Sequence, residues 1–186
     1  MSLLNATAQG GGRRMNQRVR LSKILLKHAL TQMLQEQNIY QISIRDLCQR
    51  AGINRSTFYK YYGNQFDLLT EMEQNLLGEI TAVLTHENDG TCRPLEQVLE
   101  YLESNMEFVR LLFNSNVDPE FPGKLFSLPP IQQMLRRFSA EGDYAMNFLL
   151  YGGFQVVKLW VNKERDRESA EQMAEIIWNL LLKSDR

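Results

Sequence analysis

Apolar residues recur at steps of three and four along most of the chain, and nowhere do they alternate with polar ones as a half-buried strand requires. Leu26, Ala29, Leu30, Met33 and Leu34 put one apolar face on a first helix, from Val19 to near Asn38, a residue that tolerates the left-handed backbone of a C-cap. Ser43-Ile44-Arg45-Asp46 has the Ser-x-x-acid form of a capping box and predicts a short second helix through Ala51. Gly52 breaks it, and Asn54 is placed to cap a third helix beginning at Arg55. Gly63 ends that helix, and the spacing of Asn64 and Asp67 opens a long fourth one through Leu69, Met72, Leu76, Ile80 and Val83. After the polar break at His86 to Gly90, Pro94 suits a first helical turn and Leu95, Val98, Leu99 and Leu102 continue the helical period. Met106 to Phe113 predicts another short helix, whereas the four prolines between Asp118 and Pro130 predict irregular or single-turn structure. Ile131 to Phe138, Asp143 to Asn162 and Ser169 to Lys183 complete an all-α chain of eight to ten helices.

Composition narrows the function classes. At 186 residues, 44% hydrophobic and 23% charged, the chain has the balance of a folded globular protein. No apolar run approaches the roughly 20 residues that cross a bilayer, and the first fifteen residues lack a secretory apolar stretch, so a cytoplasmic protein without membrane partners is expected. Two cysteines without CxxC spacing and two histidines predict no metal, no other cofactor and no disulfide framework. Cys48 reads as a small core hydrophobe, and Cys92, in a predicted loop, is the better candidate for an oxidant-sensitive thiol. His28 and His86 read as solvated or satisfied. Paired acids, a nucleophile with its base and metal spacing are all missing, which argues against an enzyme with catalytic residues.

The net charge of −1 conceals a division along the chain. From Arg13 to Tyr62 there are ten of the 21 bases and two of the 22 acids, a balance of +8, leaving eleven bases against twenty acids elsewhere. A basic segment of this size suits a polyphosphate, and an acidic remainder faces away from one. Residues 1–15, with Gly10-Gly11-Gly12, read as a flexible tail whose first fourteen residues need not be native; the triplet lacks the strand and the Gly-Lys-Ser/Thr ending of a phosphate loop. Arg13, Arg14, Arg18 and Arg20 form either a solvated tail or an arm reaching a minor groove.

Helix, glycine turn, helix is the outline of a helix-turn-helix, and the composition of the second helix gives the outline weight. Arg55-Ser56-Thr57-Phe58-Tyr59-Lys60-Tyr61-Tyr62 sets a guanidinium, two hydroxyls, an ammonium and three phenols around one apolar residue. Phe58 is expected to pack against Leu47 and Ile53, leaving Arg55, Ser56, Thr57, Tyr59, Lys60 and Tyr61 available for DNA, some of them facing the first helix instead.

The stretch from Ile42 to Leu69 resembles the DNA-binding signature of the TetR family of transcriptional regulators. The likeness extends from about Val19 and rests on three motifs in register: the Ala51-Gly52-Ile53 corner, the Ser56-Thr57-Phe58-Tyr59 core, and Asn64-x-Phe66-x-Leu68-Leu69. It departs from the family at Asn38, where Gly is common, and at Gln65, where Lys is common. After the tail at 1–15, the resemblance implies a three-helix helix-turn-helix domain at 16–63 and a helical regulatory and dimerisation domain at 64–186. It implies that Ser43 and Arg45 touch phosphate or a base edge, that Arg55, Ser56, Thr57 and Lys60 face the major groove, and that Tyr59 and Tyr61 hold phosphates. It further implies a homodimer on a near-palindromic operator in double-stranded DNA, most often a repressor controlled by a small-molecule effector.

In the second domain, Tyr101, Phe108, Phe113, Met134, Phe138 and Phe148 are candidates to line an effector pocket. Gly152 and Gly153, inside a long apolar helix, cost about 1 kcal/mol each relative to Ala and call for a compensating close approach. With Trp160, Ile177, Trp178 and Leu181 they are candidates for the dimer interface, internal packing being the alternative. A second reading keeps the DNA module but gives the carboxy-terminal domain a partner protein to dock, with activation rather than repression as its output.

Overall fold

The computed structural model describes residues 6–86, 91–114, 117–138 and 142–183. The elements are α1 (Ala6–Glu36), a 3-10 turn (Ile39–Gln41), α2 (Ile44–Ala51), α3 (Arg55–Phe58), α4 (Gln65–His86), α5 (Arg93–Ser104) and α6 (Met106–Phe113). They continue with α7 (Phe121–Phe126), α8 (Pro129–Arg136), α9 (Asp143–Asn162) and α10 (Ala170–Lys183), and the described residues contain no strand. No helix among them is long and apolar enough to cross a membrane. The chain divides into two compact units, Met1–Met72 and Glu73–Arg186, with the division inside α4. Leu68 and Leu69, on the first turns of α4, are buried. Glu71 is tied to Lys23 of α1. These contacts keep that stretch with the first unit.

Two local expectations differ from the structure. Residues 1–5 of the expected tail lie outside the described residues, but from Ala6 the chain is already in α1. Extending an existing helix adds one hydrogen bond per residue fixed, and Ala6, Ala8 and Gln9 flank the glycine triplet on one side as Arg13, Arg14 and Met15 do on the other, all good helix formers. Asn38 is not a left-handed C-cap. Its φ of −70° and ψ of 150° are extended, and it caps the 3-10 turn instead, its Oδ1 accepting from Tyr40 N–H at 3.0 Å. The Gln41 side chain returns the bond to the Asn38 N–H at 3.2 Å.

In the first unit Leu26 and Leu30 of α1, Leu47 of α2, Phe58 of α3 and Leu68 of α4 are all at 0% exposure and form the core under the helix-turn-helix. In the second unit α10 packs along α5, and α9 packs against α6 and α8. The proline-rich stretch is more regular than expected: Pro122 and Pro129 each occupy a first helical turn, where the missing N–H costs nothing, and they start α7 and α8. Within this unit Glu73, 3% exposed, receives Lys124 of α7 at 2.7 Å, and Lys124 also reaches Asp118 at 2.6 Å. Burial pushes the Glu73 carboxyl up, and the ammonium only partly offsets it.

Candidate functional site

The corner between α2 and α3 follows from its local sequence. Ser43 caps α2, its Oγ accepting from Asp46 N–H at 3.1 Å, and the same hydroxyl donates to Asp46 Oδ2 at 2.7 Å. The carboxylate therefore closes the cap on the hydroxyl rather than on the backbone N–H that a capping box would use. Gly52 ends α2 at φ 66° and ψ 29°, a left-handed conformation that costs an L side chain about 1–2 kcal/mol, and its N–H bonds Cys48 O and Gln49 O. Asn54 stands at the N-cap of α3 with extended dihedrals but makes no side-chain capping bond. Its carbonyl accepts from Thr57 and Phe58 N–H at 2.8 and 3.1 Å. The α-helical part of α3 is one turn, prolonged by the bonds from Tyr61 and Tyr62 N–H to Phe58 O at 2.9 and 3.0 Å.

This backbone sorts the side chains. Phe58 points into the core, while Arg55, Ser56, Tyr59 and Lys60, related by steps of four, are exposed. Thr57 and Tyr61 are half-buried, and Arg45 is exposed on the first turn of α2. Arg45, Arg55 and Lys60 have no ion pair among the described residues. Ser43 is exposed, but its proton is committed to Asp46. Tyr61 lies beside Lys23, whose Nζ is 5.8 Å from its ring centroid. Cys48 is buried, which pushes its thiol up and fits a core hydrophobe.

Part of the positive charge counted in the sequence is spent internally. Lys23 and Lys27 bind the two oxygens of Glu71 at 2.7 and 2.9 Å, and Tyr62 donates to the same carboxylate at 3.2 Å. Burial raises the Glu71 carboxyl, but the two ammonium groups outweigh it and hold the group below its usual range. Burial, and then that carboxylate, push the Tyr62 phenol far up. Arg50 makes a two-pronged bond to Glu36 at 2.8 and 2.9 Å, joining α2 to α1. Gln65 turns its amide toward Ile39 O at 3.4 Å, and Asn64 caps α4 by accepting from Phe66 and Asp67 N–H. Arg18 and Arg20 are exposed on α1, so they belong to a helix and not to an extended arm; the side chains of Arg13 and Arg14 lie outside the described residues.

The second unit holds a half-open cavity of about 130 Å³. Of the six expected lining residues it takes Phe113 and Met134. Phe108 and Phe138 are buried elsewhere, Phe138 edge-on against Trp178 at 5.6 Å, and Tyr101 is half-buried away from the cavity. Phe148 is 73% exposed on the opposite side of α9 from that role and lines an adjoining groove of about 320 Å³ with Gly152 and Val156. Helical phase explains the split. Phe108 stands five residues before Phe113, about 140° around the same helix. Apolar content alone carries no phase, whereas the steps to Leu149, Gly153 and Val157 do, and these residues line the cavity.

The expected interface residues also separate. Trp160 is core, 2% exposed, with its Nε1 donating to Glu168 O at 2.8 Å and Arg167 over its ring at 5.5 Å. Ile177 and Leu181 are buried, and Trp178 is half-buried. Gly152 and Gly153 are half-buried, yet a Cβ at either would meet nothing within 4 Å, so internal packing does not require them. Tyr144 (91%), Phe148 (73%) and Leu159 (71%) of α9 and Leu180 (48%) of α10 give these helices an exposed apolar outer face, and the expected Gly152, Gly153, Ile177 and Leu181 line the groove in it. The signal for it was there, since both helices carry apolar residues on more than the one stripe a surface helix needs. Among the described residues no cluster of His, Cys, Asp and Glu can hold a metal.

A short helix set by a left-handed glycine turn, with its aromatic anchor inward and its cations outward, defines a helix-turn-helix DNA-binding protein. Residues 26–72 match the profile of bacterial regulatory proteins of the tetR family, and residues 93–183 match that of a transcriptional regulator C-terminal region. The chain belongs to the TetR family of transcriptional regulators, which are transcription factors and not enzymes. It is 34% identical over 93 residues to the HTH-type dhaKLM operon transcriptional activator DhaS of Lactococcus lactis subsp. lactis (strain IL1403), covering 49% of this chain and 48% of that protein. It is 33% identical over 100 residues to the uncharacterised HTH-type transcriptional regulator YxbF of Bacillus subtilis (strain 168), covering 50% and 26%. The chain thus matches about half or less of these curated relatives. Among solved structures, a TetR transcriptional regulator from Streptococcus agalactiae 2603V has the same fold, with a TM-score of 0.64, 20% identity and coverage of 91% and 98%. The dihydroxyacetone kinase operon activator DhaS aligns with a TM-score of 0.55 at 25% identity, covering 87% and 94%.

Proposed function

We propose that this chain is a cytoplasmic, homodimeric regulator that reads a near-palindromic operator through α3 and changes its DNA affinity when a ligand enters the second unit. The observation that carries this reading is the set of uncompensated cations and hydroxyls on α3, opposite the buried Phe58. Arg55 has the fork that pairs with guanine O6 and N7, Ser56 and Thr57 reach neighbouring base edges, and Lys60 neutralises phosphate. Tyr59 and Tyr61 hold the backbone and set register. At the start of α2 the phosphate contact falls to Arg45, because Ser43 has only acceptor capacity left. Two copies joined through the outer face of α9 and α10 set their recognition helices about 34 Å apart, one turn of the duplex. A ligand that prefers one spacing shifts the population between binding and non-binding forms. Repression by occluding a promoter is the output this arrangement produces directly.

The test is to select an operator from random duplexes and measure Arg55→Ala on it by fluorescence anisotropy at one salt concentration. A loss of about 1–3 kcal/mol, confined to sequences with the contacted guanine, is expected. Equal affinity of the variant and the parent would falsify the assignment of α3 as the reading element. The similarity to DhaS, an operon activator, favours a second reading in which the chain activates and its outer face takes a partner protein. In vitro transcription from the selected operator separates the two outputs, falling on addition of a repressor and rising on addition of an activator.

A further inference from the structure

The cavity of the second unit has a wall that speaks to what enters it. Every residue on that wall is Leu, Ile, Val, Phe or Met, except Gly153. No side chain there donates or accepts a hydrogen bond, and the helical backbone behind them is bonded within its own turns. Its 130 Å³ is several times the space of one water, but a water held against this wall finds none of the two to four polar partners it needs, and apolar cavities of about 150 Å³ admit benzene or xenon. A polar ligand would give up its hydrogen bonds to solvent on entering and regain none. We propose that this cavity takes a hydrocarbon group, an aromatic ring or a chain of about six carbons, with any polar head left at its mouth.

The position of the cavity gives such a ligand a consequence. Leu149, Gly153, Ile177 and Leu181 line both the cavity and the groove on the outer face of α9 and α10. The missing side chain of Gly153 leaves that shared wall thin, with nothing within 4 Å of the place its Cβ would take. A group seated in the cavity therefore bears on the same residues as a second copy seated on the face. This regulatory part rests on the ligand-controlled reading given above, whereas the binding part does not.

The two parts are read separately on the full-length protein. Titration of methyl-labelled chain with toluene is expected to move the resonances of Leu99, Leu102 and Leu135 saturably, while glycerol at the same concentration moves none. Val157→Phe fills the space and is expected to weaken toluene binding about tenfold. Val157→Thr keeps the shape and adds a hydroxyl, and a weakening of about fivefold is expected from it even if the larger variant does not fold. Toluene shifts confined to exposed residues such as Leu159, or glycerol binding as tightly as toluene, would overturn the proposal. Operator affinity at saturating toluene is expected to change at least threefold. An unchanged value would overturn the regulatory part and leave the hydrocarbon site standing.

Discussion

Phe58→Ala destabilises the amino-terminal unit by about 3–5 kcal/mol, the expected cost of deleting a fully buried aromatic from a core that closes only partly over the gap. Phe58 is at 0% exposure, and its ring lies 5.6 Å from Tyr59 and 5.5 Å from Tyr62, so the loss reaches both ends of the α3 turn. Both tryptophans lie in the other unit, and hydrogen exchange in peptides from α1 and α2 is therefore the measurement of choice. Exchange there rises by about two to three and a half orders of magnitude at about 3–5 kcal/mol, and a change below tenfold would show that Phe58 is not the anchor of the corner. Tyr59→Ala provides the contrast. Its ring is 55% exposed, so stability changes little while the phosphate contact assigned to it is lost.

The double variant Phe148→Glu and Leu159→Glu is expected to turn a dimer into a monomer at micromolar concentration. Both side chains are more than 70% exposed in the single chain, so a carboxylate at either costs the monomer almost nothing. In a dimer joined by this face the same carboxylates are desolvated without partners, and self-association weakens by about a hundredfold or more. Sedimentation at several concentrations reads the effect, and binding to the two-half-site operator falls with it. A dimer that survives both charges would move the interface away from the outer face of α9. Trp160→Phe, by contrast, loses the bond to Glu168 O and costs stability without touching the oligomeric state.

What was legible in the sequence was what local chemistry determines. A glycine that must turn left, a serine that caps the helix behind it and an Asn-x-x-Asp start to α4 each act within a few residues, and Gly52, Ser43 and Asn64 do what their positions imply. The inward turn of Phe58 followed from its being the one purely apolar residue among polar neighbours. What was not legible depends on partners far along the chain. Lys23 meets Glu71 across 48 residues, and no window over the basic segment contains that acid. The lining of the cavity was only partly legible for a related reason: α9 is apolar on several sides, and only its neighbours decide which side is inward. Trp160, expected at the interface, is core, and Phe148, expected in the pocket, is exposed. Asn38 shows the smaller version of the same limit, since an asparagine that tolerates one cap geometry serves another equally well.

The ion pairs inside the first unit bear on how tightly the cell's salt can govern this protein. Each phosphate neutralised releases condensed counterions and adds about −0.9 to the slope of log affinity against log ionic strength. Lys23 and Lys27 share the carboxylate of Glu71 and Arg50 faces Glu36, so two of these three positive charges are already neutralised and only one is left to trade for sodium or potassium on the duplex. Operator occupancy is then buffered against osmotic change to a degree that a count of basic residues would miss.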